Sequence, residues 1–246
     1  MKKIFISAMI LLSATMVSAQ DFRIGVKGTF NSTWLFNNNV ADQGNRADYA
    51  ATFGTSFGLA SILYFTENVG VSLDILYASN PQKLEGDNDA GTSYESTTRV
   101  KYLDLPLLLR ISSSGGPYVE FGPQFNLLMG ATEDFAASPS SPDAYTDRDV
   151  KDYFSSFGIA PVLGFGVDIE ASDNWFINIG LRFSYGINDA TKKLSKEEID
   201  IKDDNKQSSA FGNFAHYNAE NPPEYVYQKT NRAFGGFTLG VIYKLD

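Results

Sequence analysis

The sequence predicts an all-β chain, an eight-stranded antiparallel transmembrane up-and-down β-barrel, and three observations predict it. Apolar and polar residues alternate with a period of two in seven or eight segments, the connections between those segments alternate between short and long, and beyond residue 17 no apolar run is long enough for a spanning helix. Successive side chains of a strand face opposite sides, so a wall with lipid outside and polar groups inside must alternate in this way. Without a spanning helix, only a closed barrel satisfies every backbone group inside a bilayer.

The chain opens with Lys2 and Lys3, an apolar run from Ile4 to Val17, and Val17-Ser18-Ala19. That is the charge, core and small-residue pattern of a secretory signal. The expectation is a signal peptide over 1–19, cut between Ala19 and Gln20, and one barrel domain over 20–246. The run is broken by Ser7, Ser13 and Thr15 and falls short of a retained anchor. No Cys occurs anywhere in the 246 residues, so neither a lipid-modified cysteine nor a disulfide framework holds this exported chain.

Strand by strand, the first places Phe22, Ile24, Val26 and Phe30 on lipid with Arg23 and Lys27 inside; the second exposes Phe53, Phe57, Leu59, Leu63 and Phe65 around an inward Ser56. Val69 to Ser79 alternates around an inward Asp74. A fourth segment exposes Leu103, Leu105, Leu107, Leu109 and Ile111, with Tyr102, Asp104 and Arg110 inside. The fifth exposes Val119, Phe121, Phe125, Leu127 and Met129, with Glu120, Gln124 and Asn126 inside, and the sixth exposes Phe157, Ile159, Leu163, Phe165, Val167 and Ile169. Trp175 to Ile187 exposes every odd residue and turns Arg182 inward. The last, Ala233 to Leu245, exposes Phe237, Leu239, Val241, Tyr243 and Leu245. Pro106 cannot donate to a ladder, so a bulge is expected there. Trp175, Tyr185 and Tyr243 read as interfacial girdle residues.

The short connections are Thr66 to Asn68, Ser112 to Gly116 and Ala171 to Asp173; the long ones are Thr33 to Ala51, Pro81 to Thr97, Ala131 to Asp152 and Asp189 to Lys229. Short turns mark the periplasmic side, which also holds both termini. The last loop is long enough to conceal another hairpin, with Ser208 to Tyr217 and Glu224 to Thr230 as candidates, so ten strands stay open beside eight.

Two segments carry resemblances. Thr238, Gly240, Tyr243 and Leu245 resemble the C-terminal signal read by the barrel-assembly machinery, although Asp246 follows where many such chains stop at an aromatic. Tyr102 to Arg110, YLDLPLLLR, resembles the hallmark of the PorT-like family of small outer-membrane β-barrels of Gram-negative envelopes. The resemblance covers essentially the whole mature chain and implies an eight-stranded barrel of the OmpX/OmpA type; it also raises a role beside secretion-system subunits.

The candidate chemistry is thin. Arg23, Lys27, Arg110, Arg182 and Arg232 face Asp74, Asp104, Glu120, Asp168 and Glu170 across the predicted lumen, and an eight-stranded interior is just wide enough for such side chains to fill it. A salt-bridged plug is the leading reading, with a narrow pore or small-ligand cavity as its rival. His216 is the one histidine and has no catalytic partner in sight, so no enzyme is expected and no cofactor or metal is called for. The acidic clusters Glu85 to Asp89 and Asp203 to Asn205 lack the spacing of a calcium loop and read as solvated charge, with divalent bridging to lipopolysaccharide as the alternative. Removing Lys2 and Lys3 leaves 18 basic residues against 29 acidic ones, a net charge near −11 that excludes nucleic acid as a partner. The expected function is a non-enzymatic outer-membrane protein whose long acidic surface loops serve binding, adhesion or envelope integrity, with outer-membrane lipid and lipopolysaccharide around it. The alternative is an accessory of a secretion or assembly apparatus.

Overall fold

The computed structural model describes residues 21–87, 92–138, 144–220 and 222–245. Ala19, Gln20, Asn88, Asp89 and Asp246 lie outside the described residues.

Ten strands form in chain order: β1 (Asp21–Asn37), β2 (Asp48–Ala50), β3 (Phe53–Tyr64), β4 (Val69–Asp87), β5 (Ser93–Ser112), β6 (Pro117–Ser138), β7 (Tyr145–Asp149), β8 (Phe157–Ser172), β9 (Trp175–Tyr185) and β10 (Thr230–Leu245). Eight of them close a ring, β4-β3-β1-β10-β9-β8-β6-β5, with β5 returning to β4. The other two, β2 and β7, add only to β4 and β6 outside the wall. Following the register once around the ring runs from Phe22 through Leu63, Val71, Leu109, Phe121, Leu163, Phe183 and Gly235 to Ser32, ten residues further along the strand where it began. A stagger of that size on eight strands gives a tilt of roughly 40° and a backbone radius of about 8 Å, a cylinder that side chains fill.

The period-two pattern decides which face meets lipid. In β9 Trp175, Ile177, Leu181, Phe183 and Tyr185 are exposed, while Asn178, Arg182 and Ser184 between them are buried. Ten residues of rise at that tilt span about 26 Å, the height of an outer-membrane apolar band. The turns on the terminal side are as short as the sequence predicts. Thr66 Oγ1 accepts from the Val69 N–H at 3.0 Å, and Gly116 sits at φ +93°, where a Cβ would strike the Asp168 carbonyl.

The long connections are more structured than their polarity suggests, and five expectations are corrected. Pro81 to Thr97 is largely strand: β4 runs on to Asp87 and β5 begins at Ser93. Inward Asn80, Gln82 and Leu84 still alternate with outward Pro81, Lys83 and Glu85. The outward face has simply turned polar because it has left the lipid, and a search for apolar-out alternation stops there. In the same way β1 continues to Asn37 before helix α1 (Asn38–Ala41), and β6 continues to Ser138. The hairpin suspected in 189–229 is instead two helices, α2 (Lys196–Asp204) and α3 (Ala210–His216), plus one bridge between Tyr217 and Tyr225. Finally, the β5–β6 register shift falls at Lys101/Tyr102 and not at Pro106, which stays in its strand opposite Gln124.

Candidate functional site

The lumen holds a continuous ionic cluster. Lys27 Nζ and Arg182 Nη1 both donate to Asp74 Oδ2, at 2.8 and 2.6 Å, and Arg182 Nε reaches Glu120 Oε1 at 2.5 Å. Arg110 continues the chain, with Nη1 3.5 Å from Glu120 and Nη2 2.6 Å from Asp168, whose other oxygen accepts from Asn178 at 2.7 Å. Arg110 also lies 3.4 Å over the Tyr118 ring and donates from Nε to the Tyr64 hydroxyl. Tyr118 can lean over β8 to reach Asn178 on β9 because Gly166 and Gly180 leave room for its hydroxyl. Arg23 closes the terminal end, paired with Asp21 at 2.6 Å and 3.9 Å from Asp168.

These contacts follow from register. Arg110 and Glu120 are direct cross-strand partners, and inward positions of β1, β4 and β9 meet across an interior of about 8 Å radius. Opposite charges alternate along the cluster, so the desolvation cost of each is offset by at least one partner at hydrogen-bond distance.

Towards the loops, Arg232 grips Asp104 with both terminal nitrogens, at 3.2 and 2.8 Å, and Asn126 donates to the same carboxylate at 2.7 Å. Of the ten charged residues placed in the lumen by sequence, nine meet an opposite charge there. Glu170 does not: it keeps the inward parity of β8 but lies exposed at the rim, past the last residue that the wall encloses. In β10 Thr238 is buried inward opposite Thr29, and Gly240 lies opposite Lys27. Tyr243 packs outward against Trp175 with ring planes tilted by 59° and centres 4.9 Å apart, and Leu245 lies opposite Phe22.

Above this level the barrel is stoppered by an apolar core. Leu35, Leu84, Val100 and Tyr102 from the wall pack with Val40, Tyr153, Phe154, Leu194, Ile199 and Phe211 from the loop segments. One carboxylate pins this cap. Glu133, fully buried on β6, accepts from Thr98 Oγ1 at 2.7 Å, Tyr145 Oη at 2.6 Å, Ser209 Oγ at 2.8 Å and the Ala210 and Phe211 amides at 2.7 and 3.4 Å. Two of those amides open α3, so the carboxylate also meets the positive end of that short helix. Burial, reinforced by this carboxylate, pushes the Tyr145 hydroxyl well above the usual tyrosine range and keeps it a donor. Glu133 is missed by sequence because it lies inside what reads as a loop. Two sequence signals could have found the cap: Ser195 with Glu198 makes a capping box, and Ser209 is an N-cap before a helical run.

His216 is buried beside Tyr225 and Tyr227, with Nδ1 donating to the Gly212 carbonyl at 2.7 Å and Nε2 accepting from the Leu194 amide at 3.0 Å. Both nitrogens are therefore committed to the backbone. Burial holds its pKa below the ordinary 6.5, against the opposing pull of the Gly212 carbonyl. The folded cap binds the proton more weakly than the unfolded cap does. Its stabilisation is complete above 6.5 and is lost as pH falls below that value towards the lowered one. Protection of the 210–217 amides, taken relative to the intrinsic exchange rate at each pH, should fall between about pH 7.5 and pH 5 in the wild type and stay level in His216→Asn; an equal fall in both would remove His216 as the cause.

Among the described residues no group of His, Cys, Asp or Glu is arranged to hold a metal. Among curated proteins none matches the sequence. Solved structures do. Neisserial surface protein A is 12% identical, with 91% of this chain and 97% of that chain covered and a TM-score of 0.40. OprG from Pseudomonas aeruginosa is 14% identical, with 93% and 97% covered and a TM-score of 0.37. Ail of Yersinia pestis, crystallised with the heparin analogue sucrose octasulfate, is 9% identical, with 92% and 100% covered and a TM-score of 0.36. Residues 18–192 match the family model described as outer membrane protein beta-barrel domain. With most of its length under that match and eight strands closed around a filled lumen, the chain belongs to the outer membrane β-barrel domain family and is an outer-membrane protein.

Proposed function

We propose that this is a non-enzymatic barrel, made with a signal peptide over 1–19, whose work is done by the folded layer on its outer surface. The carrying observation is the double closure: an ionic cluster and an apolar cap occupy the same lumen, which leaves the outside of the cap as the surface free to act. Strands β4, β5 and β6 of 19, 20 and 22 residues far exceed the roughly 9–11 needed to cross a membrane, and they support that layer as a stiff sheet. Ordered backbone lowers the entropy lost when a partner docks. This favours binding or adhesion over transport.

The chain has no cysteine, so one introduced at Lys196 or Glu67 is a unique attachment point. In intact cells a photocrosslinker at Lys196→Cys, on the cap, should capture a discrete surface partner, and in planar bilayers the purified protein should carry no current. The Tyr102 to Arg110 resemblance to PorT-like barrels supports a second reading, an accessory of a secretion apparatus. Capture of secretion-machine subunits from Glu67→Cys, on a terminal-side turn, with nothing captured at Lys196→Cys, would replace the first reading by the second.

A further inference from the structure

At the upper end of the lipid-facing wall two cations stand beside an open notch. Lys101 lies on the outward face of β5, directly above Leu103, and is opposite Gly130 of β6, where an added side chain would meet open space. Lys151, reached by the turn after β7, brings its Nζ to 3.2 Å from the carbonyl of Met129, the residue before Gly130. The two ammonium groups thus border the same notch, within roughly 10 Å of each other by strand geometry.

Of the neighbouring carboxylates, Asp134 and Asp152 are paired with other cations and Asp149 is not. Asp134 is bound by Arg99 at 2.6 Å and by the Asp147 amide at 2.8 Å, Asp149 accepts from the Lys151 amide at 2.9 Å, and Asp152 is paired with Lys202 at 3.1 Å. An amide donor leaves the Asp149 charge in place, so against the two lysines the notch keeps a surplus of one positive charge. Below them the wall is apolar, with exposed Leu127, Met129 and Leu107 beside Leu103 and Leu105. A surplus of positive charge directly above an apolar column, at the height where lipid gives way to water, is complementary to a ligand with a phosphate on acyl chains.

We propose that Lys101 and Lys151 form a binding site for a phosphorylated glycolipid of the outer leaflet, of the lipid A class, with its phosphate in the Gly130 notch and its acyl chains along Leu103 and Leu127. The site goes beyond the surface-binding reading and does not depend on it. Each lysine near a charged surface contributes about fivefold in affinity, so the pair contributes roughly thirtyfold.

The test uses the full-length protein in detergent, titrated with phosphorylated lipid A and read by native mass spectrometry. The wild type should retain one lipid A, and chemically dephosphorylated lipid A should bind at least tenfold more weakly. Lys101→Gln with Lys151→Gln should lose the lipid by about thirtyfold while keeping its heat-modifiable migration, and Lys101→Arg with Lys151→Arg, which keeps both charges, should retain it. Equal retention by the wild type and the Gln pair overturns the site, as does equal binding of the dephosphorylated lipid. Displacement of lipid A by millimolar inorganic phosphate would also overturn it, because the acyl column would then contribute nothing.

Discussion

Replacing Asp74 by alanine is expected to lower the temperature at which the folded, fast-migrating form disappears by on the order of 10 °C, the largest effect of any single lumen substitution. Asp74 has no exposed surface and is the shared acceptor of Lys27 and Arg182. Its removal leaves Lys27 without a carboxylate contact among the described residues and Arg182 with Glu120 alone. Breaking one member of a buried pair costs about 3–5 kcal/mol, because the remaining charge keeps its desolvation and loses its partner. The double replacement Lys27→Met with Asp74→Leu should recover most of the loss, since it removes a cation together with its anion. A double variant no more stable than Asp74→Ala would show that Arg182, and not Lys27, is the charge that Asp74 serves.

Glu133→Ala should have a comparable local effect and a different readout. Five donors converge on that carboxylate, and alanine leaves the buried Ser209 and Thr98 hydroxyls and the first amides of α3 without it. Each unsatisfied buried donor costs roughly 1–3 kcal/mol, enough together to release α3 from the cap. The wall has its own ladders and ionic cluster, so the gel shift should persist while proteolysis in 189–229 accelerates by at least tenfold. Glu133→Gln retains one oxygen acceptor and should fall between the two. Loss of the gel shift in Glu133→Ala would mean that cap and wall fold as one cooperative unit.

The wall was legible in the sequence because lipid demands a strict pattern. Ile177 out and Asn178 in can be read from hydropathy alone, and so can the turn at Thr66 to Asn68. The lumen charges followed from the same parity, but their pairing did not, since Arg182 finds Asp74 only through the stagger of the closed ring. The stagger is a property of all eight strands together. What lay above the membrane was harder for a physical reason. Lys83 and Glu85 alternate with buried Gln82 and Leu84 as regularly as the wall residues do, yet both faces carry polar side chains there, and the contrast that reveals a strand is gone. The cap core is built from residues such as Val40, Tyr153, Ile199 and Phe211 that are far apart in sequence and carry no common period.

The pairing of β1 with β10 has a kinetic consequence. It joins Phe22 to Leu245 and continues through sixteen residue pairs, so the first strand of the wall waits for the last one to be made. Loop-closure entropy grows only logarithmically with length, so the delay is not a large thermodynamic burden, but contacts this remote in sequence form slowly. Until they form, the sheet is an open ribbon with two unpaired edges and an apolar face, the species most prone to join a neighbouring chain. The seam between first and last strand is therefore the step at which folding and aggregation compete, and substitutions that weaken it, such as a proline at Val26 or Val241, should reduce the yield of folded barrel more than they reduce the stability of the barrels that do form.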